Sequence, residues 1–177
     1  MGTFDENGWL TEPLEALSTE AAYSLLAPEV ASRIDTDRWC DQAHRLFGAV
    51  LAVTPQKRYP SGGWPLCDRA DVALVADARV TRVRVITLPL ARAPSVRDAA
   101  IAGAEAIGGA GFDVLVGRAQ RVWQVCAEPL EGDDPRAPLV VAGMLAAVLL
   151  APVVPPGGGT IFGIKGARER LALEGWP

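Results

Sequence analysis

Histidine occurs once in this 177-residue chain, at His44, and cysteine three times, at Cys40, Cys67 and Cys126. The thiols are odd in number, far apart and never spaced as CxxC. That excludes the usual zinc or dithiol signature and predicts buried free thiols in a reducing compartment. Lysine is scarce too, present only at Lys57 and Lys165, so nearly all cations are Arg. Together with abundant Ala, Gly and Pro, this usage fits a GC-rich bacterial coding sequence. Basic residues number 17 against 21 acidic ones. The cationic excess that phosphate binding draws on is missing, which weighs against nucleic acid as a partner. The opening MGTFDENGWLTEPLEALS holds acids and no apolar core of signal-peptide length, which points to the cytoplasm.

Long apolar runs are also few. From Leu139 to Val154 the chain carries no charge, but Pro152 interrupts the run, and it is shorter than the ~20 residues that span a bilayer. Membrane insertion is therefore not expected. The flanking DDPRAP and PPGGG bound the run as turns bound strands, which predicts one or two buried strands. Ala, Met and Leu leave a buried helix over Leu139–Leu150 as the alternative. Glycines in PPGGGT lack the Lys-Ser/Thr ending of a phosphate loop and predict only a tight turn.

What is present suits a single domain over residues 1–177, large enough to bury roughly 70% of its unfolded surface. Apolar spacing over Thr11–Leu26 (Leu14, Leu17, Ala21, Leu25) predicts a helix, and a second spans about Asp35–Phe47 with Gly48 after it, giving a helical segment to about residue 48. AVLAVT reads as a strand, and PQKRYPSGGWPLCD as a long surface loop. After Val80 the chain alternates, with Thr81, Val83, Val85 and Thr87 facing one way and Arg82, Arg84 and Ile86 the other. SVRDAAIAGAEAIGG predicts a helix capped by Ser95 and ended at Gly108 and Gly109, its Ala and Gly permitting close packing. FDVLVGRAQRVWQVCAEP reads as a Val-rich strand, and LEGDDPRAP as a reversal in which Asp133 and Asp134 serve the turn. A short strand, Thr160–Lys165, precedes a charged final helix or turn.

The order of VLVGRAQRVWQV, an acidic turn, VVAGMLAAVLLAPVV with its Ala151-Pro152 pair, and GGGTIFGIKG resembles the C-terminal half of the HutP family of histidine-utilisation antiterminators. The likeness covers about a third of the chain. It implies an α/β (α+β) fold, a compact sandwich of a mainly antiparallel sheet with helices, forming a higher oligomer with a small ligand near a subunit interface. The family's metal-dependent sensing uses histidines in the helix matching SVRDAAIAGAEA, which here has none, so that chemistry is not carried over.

Two function classes follow. One is an oligomeric small-molecule-binding protein with an apolar cleft. The other is a cofactor-free acid/base enzyme of isomerase, cyclase or dehydratase type in bacterial specialised metabolism. Candidate catalytic groups are Glu105, a lone carboxylate in an Ala/Gly/Ile helix, and His44, which can share a helix face with Cys40 and Asp41. Each also reads as a solvated side chain. Arg118, Gln120 and Gln124 alternate along one strand side and can face a cleft, with Trp123 as an aromatic wall and Trp64 in the YPSGGWPL loop as a lid. Thr160 and Lys165 complete the candidate ligand set. No metal or organic cofactor is expected, and the apolar run with the small-residue helix predicts a homo-oligomer.

Overall fold

The alternation around Val80 resolves into two long strands, β3 (Leu66–Ala76) and β4 (Arg79–Pro89), joined by a two-residue turn. Both turn residues, Asp77 and Ala78, are left-handed (φ 52° and 59°), the backbone twist that lets two strands fold back without splaying. In the computed structural model, which describes residues 14–58 and 66–177, this hairpin belongs to a six-stranded sheet of order β2-β3-β4-β5-β1-β6. The other strands are β1 (Ala22–Ala27), β2 (Val50–Arg58), β5 (Arg121–Cys126) and β6 (Val153–Val154). Every pairing is antiparallel, and with the helices around it the fold is α+β.

Three helices cover one sheet face: α1 (Thr36–Phe47), α4 (Ala137–Leu149) and α5 (Ile164–Leu173). They bury Trp39, Phe47, Met144 and Leu171 against Leu25, Val72, Val85 and Trp123. The helices α2 (Pro94–Ala106) and α3 (Phe112–Arg118) cover part of the other face, where Val96, Ala100 and Val116 meet Leu26, Ile86, Leu88 and Val122. Beyond their reach the row Val50–Val75–Val80 stays exposed. The two-faced strand is as expected: Thr81, Val83, Val85 and Thr87 are buried while Arg82 and Arg84 are exposed, and Ile86 is buried beneath the second layer.

Several expected elements differ. No helix forms over residues 14–26. Leu14 and Leu17 still pack on the second core, but as irregular chain ahead of β1, whose five buried positions out of six remove the alternation that marks a strand. The apolar run is mainly helix α4, buried on every side from Ala137 to Ala146, so its periodicity distinguishes nothing, and helix propensity with Pro138 in the first turn decides. Leu150, left-handed at φ 52°, ends the helix, and only Val153–Val154 is strand. The segment read as one strand from Phe112 is α3 followed by β5. The N-cap expected at Ser95 falls two residues earlier, at Ala93, with no side-chain cap, and the helix begins at Pro94. Of the strand expected over Thr160–Lys165 only a bridge between Phe162 and Val153 exists, and α5 begins at Ile164.

Candidate functional site

Spacing along α2 sets up the site. Val96, Ala100, Gly103 and Ala104 face the sheet, while Arg97, Ile101 and Glu105, each one turn further on, face outward. Gly103 fixes the depth of the helix. A Cβ there would lie 2.5 Å from the Thr160 carbonyl oxygen, so α2 rests directly on the Thr160 backbone. After α2 four consecutive residues, Gly108, Gly109, Ala110 and Gly111, all take positive φ (75°, 81°, 47° and 87°). Three glycines make this reversal accessible and lay α3 back beside α2.

A cleft of about 450 Å³ lies between the two helices. Ile101, Ala104 and Val116 supply apolar wall, Gly117 leaves its side open, and Arg97, Glu105 and Asp113 supply ionic groups. A second hollow of about 550 Å³ adjoins it through Arg97, Val116 and Gly117, and runs on to Val30, Leu90, Pro94 and Gln120. Val30 is held in that wall by Arg121, whose Nε donates to the Val30 carbonyl (2.6 Å) and whose Nη1 donates to Thr87 Oγ1 (3.3 Å). Burial lowers the Arg121 pKa and the charge of Asp68 opposes that shift. A third hollow, about 520 Å³ beside β4, contains Arg82, Arg84, Cys126, Asp133 and Asp134. Its two turn aspartates are engaged in their own loop: Asp133 accepts from the Leu130 N–H (3.0 Å) and Asp134 from Arg136 (2.8 and 3.0 Å). The helix-bounded groove is the one walled by two helices, with Ile101, Ala104 and Val116 as its apolar side.

Of the residues singled out from sequence, Glu105 lies in the cleft and Gln120 in the hollow that continues it. Arg118 is exposed on the last turn of α3 and Gln120 precedes β5, so of the three residues expected along one strand only Gln124 lies on it. Gln124 is fully buried. Its Oε1 accepts from the Leu17 N–H (2.7 Å) and its Nε2 donates to the Leu17 carbonyl (3.0 Å) and Ser24 Oγ (3.1 Å). Trp123 lies on the opposite sheet face, edge-on to Trp39 at 5.8 Å between ring centroids. His44 is exposed on α1, also across the sheet; Asp41 pairs with Arg45 (3.8 Å) and the Cys40 thiol donates to the Leu51 carbonyl (3.3 Å). Burial and nearby Asp37 raise the Cys40 pKa, the opposite of an activated nucleophile. Thr160 is half-buried under α2, and Lys165 is exposed on α5. Trp64 and its YPSGGWP loop lie outside the described residues.

Arg97, Ile101, Asp113, Val116 and Gly117 were not singled out from sequence. The one-turn spacing of Arg97, Ile101 and Glu105 was there to be read, but the partner helix α3 was hidden inside what looked like strand. No protein-family model, curated protein or solved structure matches the chain. Among the described residues no helix is long and apolar enough to cross a membrane.

Proposed function

We propose that this is a small-molecule-binding α+β protein whose α2–α3 cleft holds an amphipathic molecule. The observation that carries the reading is the cleft itself. Its volume of about 450 Å³ falls in the range of ligand sites, and its apolar wall of Ile101, Ala104 and Val116 is edged by a few ionic groups. The apolar body of a ligand would lie on that wall, an anionic group toward Arg97, and a hydrogen-bond donor or cation toward Glu105 and Asp113. Glu105 is exposed, so in this reading it contributes charge to recognition instead of exchanging protons. A HutP-like ancestry and a bacterial cytoplasmic setting belong to the same proposal, supported by the residue order of the C-terminal third and by the preference for Arg over Lys. The first test is native mass spectrometry of gently purified protein. A bound small molecule that is released on denaturation and is absent from a Gly117→Leu variant supports the reading. The same adduct on both proteins places the ligand elsewhere.

A further inference from the structure

Across the sheet from the cleft, on the face under α1, the end of β2 and the start of β3 bring charged side chains into what is otherwise core. Asp68 continues the buried alternation of Leu74, Val72 and Ala70 along β3. The ladder slips by one residue between Gln56 and Arg58, and the slip sets Arg58 opposite Leu66, on the side of Asp68. Both charged residues are only 6% exposed. Arg58 Nη2 donates to Asp68 Oδ2 at 2.7 Å. In a side-on fork Arg58 Nε would meet Asp68 Oδ1 as well. Here that second bond is not made, and both atoms are buried without a partner. One step past the Arg69–Ile86 pair, Asp68 comes level with Thr87, whose Oγ1 donates to the Val122 carbonyl (2.9 Å) and accepts from Arg121 Nη1 (3.3 Å). Arg121 stands two residues before Trp123 on the same side of β5. Half-buried and tied to the carbonyl of exposed Val30, it is the side of the cluster that reaches solvent.

Charge and hydrogen bonding together define what is missing. Two guanidinium cations share one carboxylate, since Asp68 is the ion-pair partner of Arg58 and the acid whose charge acts on Arg121. A desolvated positive charge in excess favours an anion. Arg58 Nε is a donor without an acceptor, Asp68 Oδ1 is an acceptor without a donor, and Arg121 Nη2 has no partner among the described residues. Water bridges donor and acceptor but leaves the excess charge uncompensated. A bare oxyanion such as sulfate compensates the charge but turns its own oxygens on the carboxylate. An oxyanion that carries a hydroxyl meets every requirement. We infer that the Arg58–Asp68–Arg121 cluster is a second binding site, separate from the cleft, for a small hydroxylated oxyanion. Its charged oxygens accept from Arg58 Nε and Arg121 Nη2, and its hydroxyl donates to Asp68 Oδ1. Hydrogen phosphate and a 2-hydroxy carboxylate share this chemistry.

Thermal melts and calorimetric titrations of the full chain with phosphate, glycolate, sulfate and acetate, at neutral pH and constant ionic strength, test the site. The expected result is saturable binding and a raised Tm with phosphate, glycolate or both, the pattern naming the source. Sulfate and acetate, which have no hydroxyl proton to give, should bind at least about tenfold more weakly, because they leave the Asp68 oxygen unpaired. Arg121→Gln, at a half-buried position, should stay folded and weaken the preferred ion by roughly tenfold or more, while Arg97→Gln in the cleft leaves it unchanged. Asp68→Asn offers an amide N–H in place of a carboxylate oxygen and should bring sulfate up to the level of phosphate; the ion series on wild type and on Arg121→Gln decides the matter whether or not this variant folds. Four ions of equal effect, no saturable binding, or a loss in Arg97→Gln in place of Arg121→Gln would overturn the inference. The first result means general screening, the second a purely structural ion pair, and the third an anion held in the cleft.

Discussion

Gln124 shows how a polar residue on an apolar strand misleads. From sequence it reads as a group presented to a ligand. In the fold all its amide hydrogen bonds are taken by Leu17 and Ser24, and it fastens the chain before β1 to the sheet. The partner is backbone 107 residues away, which no local pattern reveals. Gln124→Ala leaves both Leu17 groups without their partner and is expected to cost about 2–3 kcal/mol, a fall of roughly 5–10 °C in Tm by scanning calorimetry. Asp134 makes a different contribution. The Arg136 side chain, donating to its carboxylate, is the main cause of its lowered pKa, with burial opposing and the Arg136 N–H and charge, then Arg79, adding to the effect. A carboxyl held below its unfolded value contributes stability that is complete above about pH 4 and fades as pH falls through the folded value. In urea titrations Asp134→Asn should therefore lie well below wild type at pH 7, with the gap closing below about pH 4. A gap that stays constant to low pH would assign the loss to packing.

At the level of elements, alternation was a dependable guide and uniform burial was not. The strand after Val80 was legible because one face is arginine and the other valine and threonine. Both β1 and α4 are apolar nearly all round, so period could not separate helix from strand, and length and propensity had to decide. Two of the helical glycines, Gly143 within α4 and Gly117 near the end of α3, follow from the packing in opposite ways. A Cβ on Gly143 would lie 2.6 Å from Phe47 Cζ and 3.2 Å from the Ala167 Cβ, where α4 meets α1 and α5. Gly143→Ala is expected to destabilise by about 1–3 kcal/mol through overpacking, less whatever the better helix former returns. A Cβ on Gly117 meets nothing within 4 Å, so Gly117→Ala should stabilise by up to about 1 kcal/mol. Paired denaturant midpoints check both, and equal effects at the two sites would contradict the packing described.

For the molecule as a whole, the antiparallel sheet between two unequal helical layers explains where a site can lie. The layer of α1, α4 and α5 buries the large aromatic and aliphatic side chains and leaves little room. The layer of α2 and α3 is built from Ala, Gly and Val, and small residues leave a groove. The α+β class was what the resemblance of the C-terminal segment implied, whereas the groove was not legible, because it depends on α3 and on four left-handed residues that turn it back along α2. The most direct test of the cleft as a binding site is a fluorescence titration with anilinonaphthalene sulfonate, which joins an apolar body to an anionic end, comparing wild type with Gly117→Leu. Because the position is open, the leucine should keep or raise Tm while filling the groove. The account predicts saturable binding to wild type, weakened at least about tenfold by the leucine, as expected when a side chain occupies the space of the ligand. Equal binding to both proteins, or none to wild type, would contradict it.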